Sequence, residues 1–170
     1  MTDLREMTAR DFSGKNEVLP IRQGLALDFR ARQPNEAIGE RGLGAYILPP
    51  FQRPPVWQQE QAVRFIESIW LGLPIGVYVY NESPTLGATD GWLIEGQQRW
   101  TSITSYVAGE FEVFGHLYTD LDAADQRHFM LRPFSCIVTK YDDPEKLKDI
   151  YHRLAYGGTA HEPEHAPAFR

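Results

Sequence analysis

Apolar positions recur along the chain with two different periods, and these periods predict its elements. From residue 62 to residue 73 apolar side chains return every three or four positions, which predicts a helix that ends at Gly72. Ile75 to Tyr80 is rich in β-forming residues and predicts a strand. The short apolar run Trp92 to Ile94 predicts a second strand, followed by a helix that ends at Gly109.

The second half of the chain continues this alternation of strands and helices. We expect a strand near 111–114, a helix from Asp122 to about Leu131, and a strand from Phe134 to Tyr141. The last helix begins at Pro144, where Asp143 can cap it through its side chain. The pattern therefore predicts an α+β fold, with a small mixed β-sheet flanked by helices.

The first 45 residues carry weaker signals. Turn-forming and polar residues are frequent there, so we interpret 1–45 as an N-terminal arm or irregular segment, in which Val18 to Leu27 is a candidate strand. The extended run Tyr46 to Leu48 opens the part with clear signals. We expect one domain over 46–160 and a proline-punctuated tail over 161–170.

Composition and charge narrow the functional classes. Of the 170 residues 42% are hydrophobic, enough for a real core, and 17 basic side chains stand against 23 acidic ones. The whole acidic excess follows residue 64, so contact with nucleic acid would need a local basic patch. We see neither a membrane-spanning stretch nor a signal-peptide core, and we expect a cytoplasmic protein with no membrane partner. The single cysteine, Cys136, excludes an internal disulfide and is predicted to be a buried strand residue.

The strongest candidate motif is Glu95-Gly96-Gln97-Gln98-Arg99, which lies between a predicted strand and a predicted helix. A glycine at such a turn lets the backbone approach a ligand, and the free N–H groups of the first helical turn favour an anion. Arg99 adds a planar charge suited to phosphate oxygens, and both glutamines add amide donors. Glu95 would repel a phosphate unless it binds Mg²⁺ or exchanges a proton with water. The alternative is a polar turn in which Glu95 and Arg99 simply form a salt bridge.

A second candidate is the proline-rich segment Pro49 to Trp57. Prolines on both sides of Arg53 stiffen the backbone and would hold that guanidinium in a fixed direction. We count Gln52, its neighbour, among the candidate ligand-binding residues. The alternative is a rigid connector whose Phe51 and Trp57 fill the core while Gln52 and Arg53 face water.

Two features near the C-terminus are less informative. Tyr151 to Gly158 has the composition of an ordinary helix end, with a basic residue followed by two glycines that would stop the helix. His161 to His165 spells the HExxH pattern of zinc proteases, but Pro163 interrupts the helix that this pattern requires. We therefore expect no zinc site there.

Four segments taken together resemble one known family. They are Tyr46 to Trp57, Phe65 to Ile75, Leu93 to Thr101 and Tyr151 to Gly158. In order and spacing they resemble the motifs of the GmrSD restriction-endonuclease N-terminal domains, among them the family's IDGQQR turn and its RLN-x-GG block.

The resemblance implies a ParB/sulfiredoxin-like fold in which the turn before a helix binds a nucleotide phosphate. Members of the family are associated with nucleotide hydrolysis, with DNA restriction and with sensing of modified DNA. Carried over to this sequence, the phosphate cradle would consist of Gly96, Gln97, Gln98 and Arg99, with Glu95 at the aspartate position and Arg53 and Arg153 as a basic rim.

The sequence departs from the family pattern at several points. Glu95 replaces the aspartate and places its carboxylate one methylene further out, and Ala155 replaces the asparagine of RLN. The chain stops soon after Gly158, so we expect it to lack the separate HNH-type nuclease half of longer relatives. Gln97 stands where sulfiredoxin has its cysteine, which excludes thiol-redox chemistry at this turn. These departures weaken the expectation of catalysis more than that of binding.

We expect a nucleotide-binding, NTP-hydrolysing domain that acts in DNA metabolism or phage–host conflict. Its candidate cofactors are a nucleoside triphosphate and Mg²⁺. Arg99 would hold the phosphates, Arg53 would stabilise the charge that develops during hydrolysis, and Glu95 would position the metal or a water molecule. One alternative is a ParB-like DNA nuclease at the same site. Another is a non-catalytic adaptor that binds a protein partner, and a separate nuclease subunit is a candidate partner. Direct DNA binding would require six arginines to gather on one face: Arg22, Arg30, Arg32, Arg41, Arg53 and Arg64.

Overall fold

The computed structural model describes residues 14–26 and 32–156. Within these residues short 3₁₀ turns lie at Glu36–Ile38 and Tyr118–Asp120. The strands are β1 Gly14–Pro20, β2 Arg41–Leu43, β3 Tyr46–Leu48, β4 Val77–Asn81, β5 Leu93–Glu95 and β6 Pro133–Thr139. The α-helices are α1 Ile21–Leu25, α2 Gln59–Leu71, α3 Gln97–Val107, α4 Ala123–Met130 and α5 Pro144–Tyr156.

Four of the strands form one small mixed sheet in the order β1-β6-β4-β5. β6 runs antiparallel to β1 and parallel to β4, and β5 runs antiparallel to β4. β2 and β3 form a separate hairpin, which a single bridge between Ile47 and Trp92 connects to the start of β5. The predicted α+β fold, a small mixed sheet flanked by helices, is confirmed. The likeness to ParB and sulfiredoxin stays a prediction.

Successive residues of the sheet point to opposite faces and enter two separate cores. On one face Tyr78 and Phe134 belong to a core to which α2, α3 and α4 contribute. On the other face Val79 and Ile94 belong to a core whose helical residues, among those described, come from α5. Because α3 starts directly after β5, the carboxyl end of β5 lies where α3 and α5 approach each other from the two faces.

Local signals fix the ends of the helices. Gly72 ends α2 in the left-handed conformation, with φ of 71°. The Asp122 side chain accepts a hydrogen bond from the Asp125 N–H at the start of α4, at 2.8 Å. Asp143 accepts one from the Glu145 N–H at the start of α5, at 3.0 Å. The predicted boundaries at Gly72, Asp122 and Asp143 are confirmed.

Two expectations differ from the structure. Part of the segment 1–45, which the sequence predicts to be irregular, forms β1, α1 and β2. The candidate strand Val18 to Leu27 is extended only up to Pro20, where β1 pairs with β6; Ile21–Leu25 is helical, and Leu27 lies outside the described residues. The strand expected near 111–114 is wrong: Val113 and His116 pair with each other across a tight turn, and Phe114 has a positive φ of 53°. The boundary between arm and domain stays a prediction. In the described part of the chain no helix has the length and apolar character needed to cross a membrane.

A buried ion pair fixes the loop that precedes β2. The Glu40 carboxylate is fully buried and receives hydrogen bonds from the Arg32 guanidinium at 2.6 and 2.7 Å. The Trp92 indole N–H donates to the same carboxylate at 2.6 Å, and the Asn35 N–H at 2.7 Å. Burial opposes ionisation, but these donors together hold the pKa of Glu40 below its usual range.

Candidate functional site

The turn between β5 and α3 is tight because of what lies behind it. Gly96 has a backbone φ of 110°, a conformation that residues with a side chain rarely adopt. A Cβ atom at this position would lie 2.6 Å from the Cβ of Tyr78 on β4. The glycine is therefore required by the packing of the turn against the sheet, a reason that the sequence does not reveal.

The Arg99 side chain points back toward the amino end of β4. Its guanidinium donates to the carbonyl of Ile75 at 3.1 Å, to that of Val77 at 2.8 Å, and to the Glu95 carboxylate. Only 15% of the side chain is exposed. The salt bridge that the sequence left open as an alternative is therefore present, and Arg99 holds the turn in place in addition to lining the cavity described below.

Two glutamine side chains attach the proline-rich segment to this turn. The Gln52 amide donates to the carbonyls of Leu93 and Ile94 at 2.9 and 3.0 Å. The Gln98 side-chain oxygen accepts from the backbone N–H groups of Val56 and Trp57 at 3.0 and 3.1 Å. Gln52 is buried rather than facing water, so the amides that the sequence identifies as ligand donors also have a structural task.

These attachments leave a cavity of about 230 Å³ between three segments of the chain. We call it the turn cavity; it lies between the proline-rich segment, the turn that follows β5, and α5. Its lining residues are Gln52, Arg53, Trp57, Ile94, Glu95, Gly96, Gln97, Gln98, Arg99, Tyr151, Leu154 and Ala155. The structure thus brings together almost every residue that the sequence analysis selects, from three separate motifs.

A larger cavity of about 480 Å³ lies elsewhere, near the carboxyl end of β4, where Tyr80 and Asn81 line it. The Asn81 amide there is fully engaged, since it donates to Thr89 and Tyr141 and accepts from Thr139. Size alone would favour this cavity. The side chains of Ser83 and Asp90 there are also bonded within the protein, and none of the predicted site residues lines this cavity, so the smaller turn cavity is the better candidate site.

Two polar groups on residues that line the turn cavity make no hydrogen bond of ordinary geometry with the protein. The Gln97 amide nitrogen is buried and makes no hydrogen bond within the described structure. The Tyr151 hydroxyl is also buried and makes no hydrogen bond of ordinary geometry, but the Arg53 backbone N–H and the Tyr156 side chain lie close to it. Gln97 is 5% exposed, and so is Tyr151. Burial raises the pKa of the Tyr151 hydroxyl, and the neighbouring Arg53 backbone N–H acts in the opposite direction. Unpartnered buried donors are rare because they cost folding free energy.

The charges around the turn cavity are few and mostly positive. Arg53 is exposed at the rim and makes no salt bridge with any described residue. Glu95 is the only acidic residue among the lining residues, and 39% of its side chain is exposed. No group of three metal-ligating side chains occurs in the described part of the chain. A Mg²⁺ ion here would therefore have one carboxylate from the protein and would arrive with the phosphates of its ligand.

One predicted member of the basic rim lies outside the turn cavity. Arg153 is exposed on α5 and pairs with Asp149 one helical turn earlier, at 2.8 Å. Ala155, the departure from the family pattern, does line the cavity. The predicted helix stop at 157–158 and the HExxH segment at 161–165 lie outside the described residues.

Sequence reasoning missed Tyr151 and underrated Trp57. The sequence names Tyr151 only as the first residue of a helix end, and nothing in that segment indicates that the Tyr151 hydroxyl would be buried beside a cavity. Trp57 was expected to fill the core; it packs against Phe65 at a centroid distance of 5.7 Å and also lines the turn cavity. The sequence did contain one indication for both residues. Trp57 belongs to the same motif as Arg53, and Tyr151 belongs to the same motif as Arg153.

The remaining candidates are explained by their surroundings. Cys136 is 1% exposed, and burial raises the pKa of its thiol, which confirms the prediction of a buried strand residue. Of the six arginines considered for a DNA-binding face, Arg32 is engaged by Glu40, and Arg41 donates to the Gln52 carbonyl at 3.1 Å. Arg30 lies outside the described residues.

Comparison with known proteins gives one significant match. The model of the GmrSD restriction endonuclease N-terminal domain matches residues 35–164. Searches of curated proteins and of solved structures found no significant match. The match covers most of the chain and all three segments that form the turn cavity, and it supports a role related to DNA restriction. The chain belongs to the family of GmrSD restriction endonuclease N-terminal domains.

Proposed function

We propose that this chain binds a nucleoside triphosphate in the turn cavity, within a role in DNA restriction, and hydrolyses it there. The observation that carries the proposal is the buried Gln97 amide nitrogen without a partner, together with the Tyr151 hydroxyl, which makes no hydrogen bond of ordinary geometry. Both can donate a hydrogen bond, and both belong to residues that line one cavity. Leaving a buried donor unsatisfied costs about 1–3 kcal/mol, so an acceptor-rich ligand would recover that cost. Phosphate oxygens are such acceptors.

The charge of the lining supports an anionic ligand. Arg53 stands at the rim without an ion-pair partner among the described residues, and its guanidinium suits phosphate oxygens. Arg99 adds a second positive charge that its salt bridge with Glu95 balances, so the unbalanced charge of the lining is that of Arg53. Because prolines flank Arg53 on its carboxyl side and Gln52 is fixed by β5, the rim needs little ordering when a ligand binds.

Glu95 is the candidate for the hydrolytic step. One of its oxygens accepts from Arg99, and the other makes no hydrogen bond with the described residues. That second oxygen can accept a proton from a water molecule as the water attacks the terminal phosphorus, which releases inorganic phosphate and the diphosphate. If Mg²⁺ accompanies the nucleotide, Glu95 would hold it from the protein side, and the metal would neutralise charge on the phosphates.

The test uses two variants that keep the shape of the site. Gln97→Met and Tyr151→Phe remove the Gln97 amide and the Tyr151 hydroxyl without emptying the space they occupy. We expect calorimetric titration with ATP, GTP, CTP and UTP, each with Mg²⁺, to show binding to the parent and at least fivefold weaker binding to each variant. Gln97→Met should unfold at the same temperature as the parent or at a higher one, since it loses no protein hydrogen bond. Tyr151→Phe also removes a hydroxyl that lies close to the Arg53 backbone N–H, so its unfolding temperature is measured alongside.

Arg53→Ala and Arg153→Ala form the matched control pair. The first removes a lining guanidinium and should weaken nucleotide binding, whereas the second removes an arginine from α5 outside the cavity and should not. Failure of every nucleotide to bind the parent would refute the proposal. Binding with no phosphate release from the parent would refute the hydrolytic role of Glu95 and would favour the non-catalytic adaptor. Release that persists in Glu95→Gln would also refute that role.

A further inference from the structure

A second cavity lies beside the turn cavity and shares two of its walls. It has a volume of about 220 Å³ and is located between the start of α2 and one side of α3. Trp57 and Gln98 line both cavities. We call this second space the α2–α3 cavity.

The two cavities differ in chemistry. The turn cavity contains Arg53, Arg99 and Glu95, whereas Glu110 is the only charged residue that lines the α2–α3 cavity. Glu110 aside, the α2–α3 cavity is lined by aromatic residues, small apolar residues, and neutral side chains that both donate and accept hydrogen bonds. These are Gln58, Gln59, Gln98, Thr101, Ser102 and Ser105. Three of these residues also bond within the protein: Gln58 caps α2, Ser102 donates to the Gln98 carbonyl, and the Gln98 side-chain oxygen accepts from Val56 and Trp57. The remaining amide and hydroxyl groups suit an uncharged ligand part with hydrogen-bonding atoms.

The shared wall is held rigidly. Trp57 packs edge to face against Phe65, at an interplanar angle of 65°. The Gln98 side chain is fixed by the backbone N–H groups of Val56 and Trp57. An indole ring kept in place beside a polar cavity is a ready stacking surface for a flat heterocycle.

We propose that the α2–α3 cavity receives the nucleoside part of the nucleotide whose phosphates occupy the turn cavity. This inference rests on the proposed function. Cavities that hold small organic ligands usually have volumes of about 300–1,000 Å³, so the turn cavity alone is small for a whole nucleoside triphosphate. The α2–α3 cavity supplies further room. Its neutral polar lining and its aromatic wall suit a sugar and a base, whereas the charged lining of the turn cavity suits phosphates.

The experiment compares nucleotides with inorganic tripolyphosphate, which has the phosphates and no nucleoside. Ser105 lines the α2–α3 cavity but not the turn cavity, so Ser105→Trp would fill the proposed nucleoside site. We expect this variant to bind nucleoside triphosphates at least fivefold more weakly than the parent and tripolyphosphate equally well. Gln97→Met should weaken both ligands. Ala108→Trp, an equally large change at an exposed position after α3, should weaken neither.

The outcomes separate the two proposals. If Gln97→Met weakens nucleotide binding and Ser105→Trp does not, the nucleoside site is refuted and phosphate binding in the turn cavity stands. The nucleoside site is also refuted if the parent binds tripolyphosphate as tightly as every nucleotide. If the parent binds neither ligand, the proposed function itself fails. Thermal unfolding shows whether Ser105→Trp is folded, and Ser105→Leu, a smaller filling change with the same expected pattern, replaces it if it is not.

Discussion

Replacing Arg99 with alanine tests the structural role of this residue in the turn. The guanidinium connects three parts of the site: the segment before β4 through the Ile75 carbonyl, β4 through the Val77 carbonyl, and the end of β5 through Glu95. It also lies over the Phe134 ring at 5.7 Å. The alanine variant loses all these contacts at once.

The size of the effect follows from the exposure of the partners. Hydrogen bonds that involve a charged group contribute about 1.5–3 kcal/mol each when they are buried. Val77 is 44% exposed and the Glu95 side chain 39%, so water can replace part of what is lost. We therefore expect Arg99→Ala to lower the free energy of unfolding by about 2–4 kcal/mol, well below the sum of three buried bonds.

Urea denaturation followed by tryptophan fluorescence measures this change. With a slope of about 2 kcal/mol per molar urea, the midpoint should fall by about 1–2 M. Arg153→Ala is the matched control, because Arg153 is 77% exposed and solvent screening leaves its pair with Asp149 with little effect on stability. If the two variants have the same midpoint, the argument that Arg99 holds the turn is refuted. If Arg99→Ala is destabilised as expected, its loss of nucleotide binding cannot by itself identify a phosphate ligand.

Three further predictions concern stability and reactivity. Gly96→Ala should lower the free energy of unfolding, measured by urea denaturation, by more than about 2 kcal/mol, because the new Cβ would clash with Tyr78. Gly115 also has a positive φ but open space around it, so Gly115→Ala should lower it by only about 1 kcal/mol. Equal losses would show that the contact with Tyr78 is not what requires the glycine. Glu40 has a lowered pKa in the folded state, so its contribution is fully present above its unfolded pKa, near 4.3, and is lost as the pH falls through the folded value. Glu40→Gln should therefore destabilise the protein by about 3 kcal/mol at pH 7 and by progressively less as the pH falls below the unfolded pKa. A loss that does not change with pH would exclude the ion pair as the cause. Cys136 should react with a thiol reagent at pH 8 in urea but not in the folded protein, and rapid reaction without urea would show that the strand is accessible.

The sequence predicted best those features that local chemistry determines. The end of α2 at Gly72 and the starts of α4 and α5 at Asp122 and Asp143 depend on one residue and its immediate neighbours. β1 could not be predicted with the same clarity, because its pairing with β6 joins residues more than a hundred positions apart. The turn at Phe114 was hidden by apolar residues that also favour strands.

The candidate site shows the same division between local and distant information. The motifs identified the residues that line the turn cavity, because a strand, a glycine and a helix in sequence form a turn whatever surrounds them. The direction of the Arg99 side chain depends on two carbonyls at the amino end of β4, which no pattern near Arg99 specifies. The environment of the Tyr151 hydroxyl depends on how α5 meets the proline-rich segment. Such facts appear only when distant segments are placed together.

The position of α5 has a consequence for how the turn cavity opens. Among the described helices it alone covers the second face of the sheet, where Leu147 and Tyr151 anchor it, and it supplies one side of the cavity. Detachment of α5 would expose Ile94 and remove one side of the cavity, while the larger core on the opposite face would keep its packing. A ligand that contacts both α5 and the turn would therefore oppose this detachment and slow hydrogen exchange in α5 more than in α2 or α4.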